Sequence, residues 1–176
     1  MTSAQIEDSF NDLKTFMEPL FNIKLKRSDW GITSAGGWIQ NTARVEKEGN
    51  ISGVVFGKAK VTGNAKVLDS ACVYGSAQVS GNAVVKDASR VYGNATVSEN
   101  AEISDHAHVY GTASVYGKAM IYGTAQVFEN SEVYGSAQVA GQGKVYGDSE
   151  VFGNAEIFKG KQVSGNMKVA VKTSKF

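Results

Sequence analysis

"VYGNATVSENAEI", residues 91–103, carries the pattern that decides the fold: Val91, Val97 and Ile103 recur at every sixth position. Worked outward in both directions, the register is unbroken. Every sixth residue from Val55 to Val169 is Val or Ile, twenty in succession, and four residues after each, from Ala59 to Ala155, stands Ala, Ser or Gly. In a segment such as Ala-x-Val-Tyr, alternate residues face opposite sides of a strand, so Ala and Val point inward while x and Tyr point out. The Gly-Asn or Asp-containing pair that follows tolerates positive φ and turns the chain sharply. Strand, corner, strand, corner describes a solenoid.

The number of sides follows from the outward slots. If three hexads make a coil of about 18 residues, the slot after Val stacks as Phe56, Tyr74, Tyr92, Tyr110, Phe128 and Tyr146, an unbroken aromatic column. The other two columns are mixed: Thr62, Ser80, Ser98, Tyr116, Tyr134, Phe152, and Leu68, Lys86, Ser104, Tyr122, Ala140, Phe158. Like on like favours a triangular coil, because parallel coils gain side-chain contact by stacking. The expected organisation is a helix-strand cap and lead-in segment over 1–48, a parallel β-helix over 49–171, and a tail at 172–176. At the C-terminal end the inward slot turns to Lys161 and Met167, so the interior either opens there or is plugged.

The N-terminus follows a different period. Ile6, Phe10, Leu13 and Met17 share one helical face, Thr2 and Gln5 have capping-box spacing, and Pro19 is expected to stop the helix. Phe21, Ile23 and Leu25 then alternate as in a strand. The helix either lies over the first coil as a cap or presents Ile6, Phe10, Leu13 and Met17 as a second interface to another subunit or partner.

The hexads "VYGSAQVSGNA" and "VYGNATVSENA" resemble those of the hexapeptide-repeat proteins, the superfamily of trimeric acyltransferases. Within it they are most similar to the variant with Gly-Asn corners found in enterobacterial and phage proteins, in which a "GGWI" like Gly36, Gly37, Trp38, Ile39 precedes the first coils. The resemblance spans residues 36 to 171 and implies that the helix is left-handed. It also implies two activities to weigh. Acyltransferases of the superfamily use a histidine and commonly an inserted loop; no insertion interrupts Val55 to Val169, and His106 and His108 are the only candidate bases. Its carbonic anhydrases hold zinc with three histidines, and this chain has two. The column Asp69, Asp87, Asp105 reads as turn chemistry, so neither a metal nor any other cofactor is expected.

Composition narrows the remaining classes. A formal charge of +1 argues against specific nucleic-acid binding, although five lysines and no acid lie between Lys159 and Phe176. Thr62, Thr96 and Thr112 are too scattered for an ice-binding array. One cysteine, Cys72, forms no intramolecular disulfide, and no apolar run reaches membrane-span length, so a cytoplasmic protein without membrane contact is expected. The stronger signal is the face built by Phe56, Tyr74, Arg90, Tyr92, His108, Tyr110, Phe128 and Tyr146, since Tyr and Arg are enriched where interfaces carry their energy. Three readings of it are open: a self-stacked ladder, burial in a homo-oligomer (dimer or trimer), or a face for a partner protein. The sequence reading is therefore a non-enzymatic scaffold or binding module, with acyltransferase and purely structural oligomer as alternatives. The phage resemblance adds the sharper expectation of an accessory factor that binds and inhibits a bacterial host protein, including a defence component.

Overall fold

The computed structural model describes residues 1–170; the expected tail at 172–176 and the final residue of the expected β-helix lie outside the described residues. One helix, α1 (Ser3–Phe21), precedes a hairpin of β1 (Trp30–Ile32) and β2 (Trp38–Gln40), followed by β3 (Arg44–Val45), β4 (Val54–Val55) and short strands at every hexad to Lys168–Ala170. Strands eighteen positions apart pair in parallel, Val55 with Val73 and Val73 with Val91, so each side of the coil becomes its own sheet. The three sheets have nine, eight and six strands. The solenoid is therefore triangular, as the aromatic column requires.

Parallel stacking starts at Trp38, before the boundary read from the hexads, and the first coil is shorter than the later ones: Trp38 pairs with Val54 and Arg44 with Lys60. Inside, the Val and Ala slots form one continuous core from Ile51 to Val163, in which most residues are fully buried. Where Ser replaces Ala, the hydroxyl is satisfied without a partner from outside: Ser89, Ser131 and Ser149 donate to the carbonyls of Lys86, Phe128 and Tyr146 at 2.7–2.8 Å.

The corners have their own bookkeeping of polar groups. The first corner residue adopts positive φ, for example Gly93 at 72° and Asp105 at 55°. Its amide is not used by the inter-coil ladder, and where the corner residue one coil below is Asp69, Asp87, Asp105 or Glu129 that carboxylate accepts it. Asp69 accepts from Asp87, Asp87 from Asp105, and Asp105 from Gly123, at 3.4, 3.0 and 2.8 Å. Glu129 does the same for Gly147 at 2.8 Å. The aspartate column is thus part of the hydrogen-bonding of the corners.

The N-terminal region departs from expectation in three ways. Helix α1 has the capping box, with Thr2 and Gln5 bonded reciprocally, but Pro19 lies inside its last turn and the helix ends at Asn22, whose φ is 51°. Residues 23–26 form no strand; the strand is β1, antiparallel to β2, and Ile23 and Leu25 are half-buried against the helix cluster. Most importantly, α1 does not lie across the open end of the prism. Phe10, Leu13 and Met17 pack with Trp30, Trp38, Val54 and Cys72, which are outward residues of consecutive strands in the nine-stranded sheet. The helix therefore covers the flank of the first coils, and the second interface expected of Phe10, Leu13 and Met17 is spent within the chain, with Ile6 half-buried beside them. At the mouth itself, Thr33 ties the turn before β2 to the first coil, donating to Ile51 O at 2.6 Å and accepting from Gly37 N at 3.0 Å.

At the other end neither of the two longer side chains enters the interior. Lys161 is exposed and Met167 is 46% exposed, so neither plugs the core among the described residues.

Candidate protein-interaction face

The aromatic column is a ladder of parallel rings. From Phe56 to Tyr146 successive ring centres are 4.8–4.9 Å apart and interplanar angles are 2–7°. That spacing is the inter-strand distance, so ring stacking follows directly from the parallel register. Because the rings cover one another's faces, they offer edges and hydroxyls outward. A flat ligand could enter between them only by breaking the stack.

The lower end of the ladder is covered. Phe21, the last residue of α1, meets Phe56 and Tyr74 edge-on at 5.1 and 5.0 Å, and Trp30 lies 6.1 Å from Phe56. Burial pushes the Tyr74 hydroxyl up to about 12 and the Cys72 thiol, beneath the helix, also to about 12. Phe56 and Tyr74 are thus half-buried against the helix cluster within the chain. Tyr92, Tyr110, Phe128 and Tyr146 continue the ladder without a helix over them.

Beside the ladder runs the second outward column, and its character changes where the helix ends. Under α1 it reads Trp38, Val54 and Cys72; above it reads Arg90, His108, Gln126, Lys144 and Gln162. Arg90 marks the transition, its guanidinium 5.7 Å from the centre of the Phe21 ring. His108 stands edge-on to Tyr92 at 6.0 Å, and burial, then Arg90, then His106 hold its imidazole below the ordinary histidine range.

The three sides differ in how they use their polar groups, although the ladder side too spends one hydroxyl, Tyr146 donating to Gln162 Oε1 at 3.2 Å. On the second side Tyr116 and Tyr134 stack, bond Glu132 and Glu150 at 3.1 and 3.3 Å, and Lys168 closes on Glu150 at 2.7 Å. On the third, Lys86 pairs with Glu102 at 2.8 Å and Tyr122 bonds Gln138 at 3.1 Å. Among the described residues, Arg90, His108, Gln126, Lys144 and the hydroxyls of Tyr92 and Tyr110 make no side-chain hydrogen bond or ion pair, although these residues are half-buried. This unspent capacity was not visible in the sequence, since the partners that consume the equivalent groups elsewhere come from different coils.

The other candidates are placed as follows. His106 is exposed at a corner, its backbone N–H donating to Gly123 O at 2.8 Å, while His108 lies on the flat face. The nearest described cleft on this side is shallow and is lined by Thr124, Gln126, Gln142, Lys144, Gly160 and Gln162, without either histidine. Among the described residues no group of three or more His, Cys, Asp or Glu is placed to hold a metal ion, and no helix is long and apolar enough to cross a membrane.

No family model, curated protein or solved structure matches this chain. The likeness to hexapeptide-repeat proteins rests on the repeat itself and on the parallel coils it builds.

Proposed function

We propose that this protein is a non-enzymatic scaffold that binds protein through the uncovered part of its ladder side. One observation carries the reading: the half-buried row of Arg90, His108, Gln126, Lys144, Tyr92 and Tyr110 holds donors in fixed register and spends none of them on described neighbours. Half-burial restricts their hydration, so a partner that supplies acceptors gains more from them than from freely hydrated groups. The fold supports the same reading, because the lower part of this side is already an interface, with α1 as its occupant. A second copy of the chain is one occupant of the face. The Gly-Asn corners, shared in type with phage hexapeptide proteins, support the narrower proposal of an accessory factor that engages and inhibits a bacterial host protein, including a defence component.

The test is a triple variant, Tyr92→Ser, Tyr110→Ser and Tyr146→Ser, with Tyr74 left alone because it supports the helix. Light scattering gives the mass of the purified protein, and capture from bacterial lysate gives any partner. Loss of association in the variant, with circular dichroism unchanged, is the expected result. Association that survives all three substitutions overturns the assignment of this face. A wild-type monomer removes the homo-oligomer reading of this face.

A further inference from the structure

We infer that Arg90 is a clasp on α1 that acid opens through His108: protonating the imidazole drives the guanidinium off Phe21 and frees the last turn of the helix. The geometry places Arg90 between the two. Its strand pairs in register with that of Cys72 below and that of His108 above, so His108 lies one strand spacing away, about 4.8 Å. Its guanidinium covers the Phe21 ring at 5.7 Å, and Phe21 is the residue that seats the end of α1 on Phe56 and Tyr74. A neutral imidazole is tolerated there. A second cation on the adjoining strand, half-buried, repels the first, and Arg90 relieves the repulsion by leaving the ring.

The neighbouring charges do not take over this role. Gln126, in register above His108, is uncharged. Asp87 and Asp105 at the adjoining corner each accept a backbone amide, from Asp105 and Gly123. Burial raises Tyr92 and Tyr110, so both stay neutral. On the helix side, Glu18 accepts from the Leu25 amide and Lys24, which holds its carboxyl below the ordinary range; it keeps its charge above about pH 5. Arg27, over Phe10 and Trp38, serves the other end of the helix. As pH falls through its lowered value, the His108 imidazole is therefore the group of this cluster that gains charge.

Native-state hydrogen exchange of the α1 amides, corrected for the intrinsic pH dependence of exchange, tests the clasp. Protection in the last turn of α1 is expected to fall by about three- to tenfold as pH is lowered from about 8 through the titration of His108, with no matching loss in the solenoid strands. His108→Gln should abolish the response and His106→Gln should retain it. Arg90→Gln should show low protection throughout with no response. A response that persists in His108→Gln, a wild type with none, or an equal loss throughout the solenoid overturns the proposal.

Discussion

The lower and upper parts of the ladder side have the same rings at the same spacing, yet the lower part is packed against a helix and the upper part is not. Ring stacking therefore does not mark an interface by itself. The residue beside the ring does. Val54 and Cys72 face a helix, Arg90 reaches its last ring, and His108 and Lys144 face outward, so the change from apolar to polar in that single column records the footprint of α1. In solenoids, reading the two outward columns together thus separates internal packing from surface offered to others.

Several substitutions break or sharpen this contrast. The largest effect is expected from Cys72→Asp, which places a carboxylate without a partner beneath the helix and should cost about 3–5 kcal/mol, or shift the carboxyl to its neutral form. Arg90→Leu, one coil higher, should stay within about 1 kcal/mol. Denaturant unfolding followed by tryptophan fluorescence measures both, since Trp30 and Trp38, the two tryptophans of the chain, lie in the covered cluster. Next comes Met17→Ala, a truncation of a fully buried side chain of α1, with an expected loss of about 2–4 kcal/mol. The same probe should report it as helix release at lower denaturant, with far-ultraviolet dichroism retaining the solenoid signal.

Smaller effects test the boundary between the halves. Asp105→Ala removes the acceptor for Gly123 N–H and replaces aspartate at φ 55° by a residue that tolerates the left-handed region less well, costing about 1–2 kcal/mol; Asp105→Gly should relieve the backbone part alone. Thermal unfolding of the two variants separates the contributions. The smallest change is with pH. Because the fold holds His108 below its unfolded value, the neutral form is favoured by folding. Its contribution is complete above the ordinary histidine range and is lost as pH falls through the folded value. Stability measured across that window should decline toward acid in the wild type and less so in His108→Gln.

Much of this molecule could be read from the chain, because its order is periodic. The inward Val and Ala slots, the three sides and the stacking of Phe56 through Tyr146 follow from spacing alone. The position of α1 did not, since an amphipathic face says that a helix is buried and not against what. Two signals were present: apolar Val54 and Cys72 in an outward column, and the two tryptophans just before the first coils. The role of Asp69, Asp87 and Asp105 was read correctly as corner chemistry, but their acceptance of the next coil's amide depends on backbone direction at each corner, which spacing does not encode. The same holds for the hydroxyls of Tyr116 and Tyr134, whose carboxylate partners sit a coil away.

The unbroken eighteen-residue register also makes length a separable property of this protein. Each coil touches only those above and below it, so duplicating one, such as residues 105–122, keeps every side chain on its own side and lengthens the prism by about 4.8 Å. The duplication would add a ring to the open half of the ladder and leave the helix-covered half unchanged. Deletion of the same unit would shorten it by the same step. The chain is in this sense a ruler whose graduations are coils, and the reach of its open face can evolve by whole units without redesign of the core.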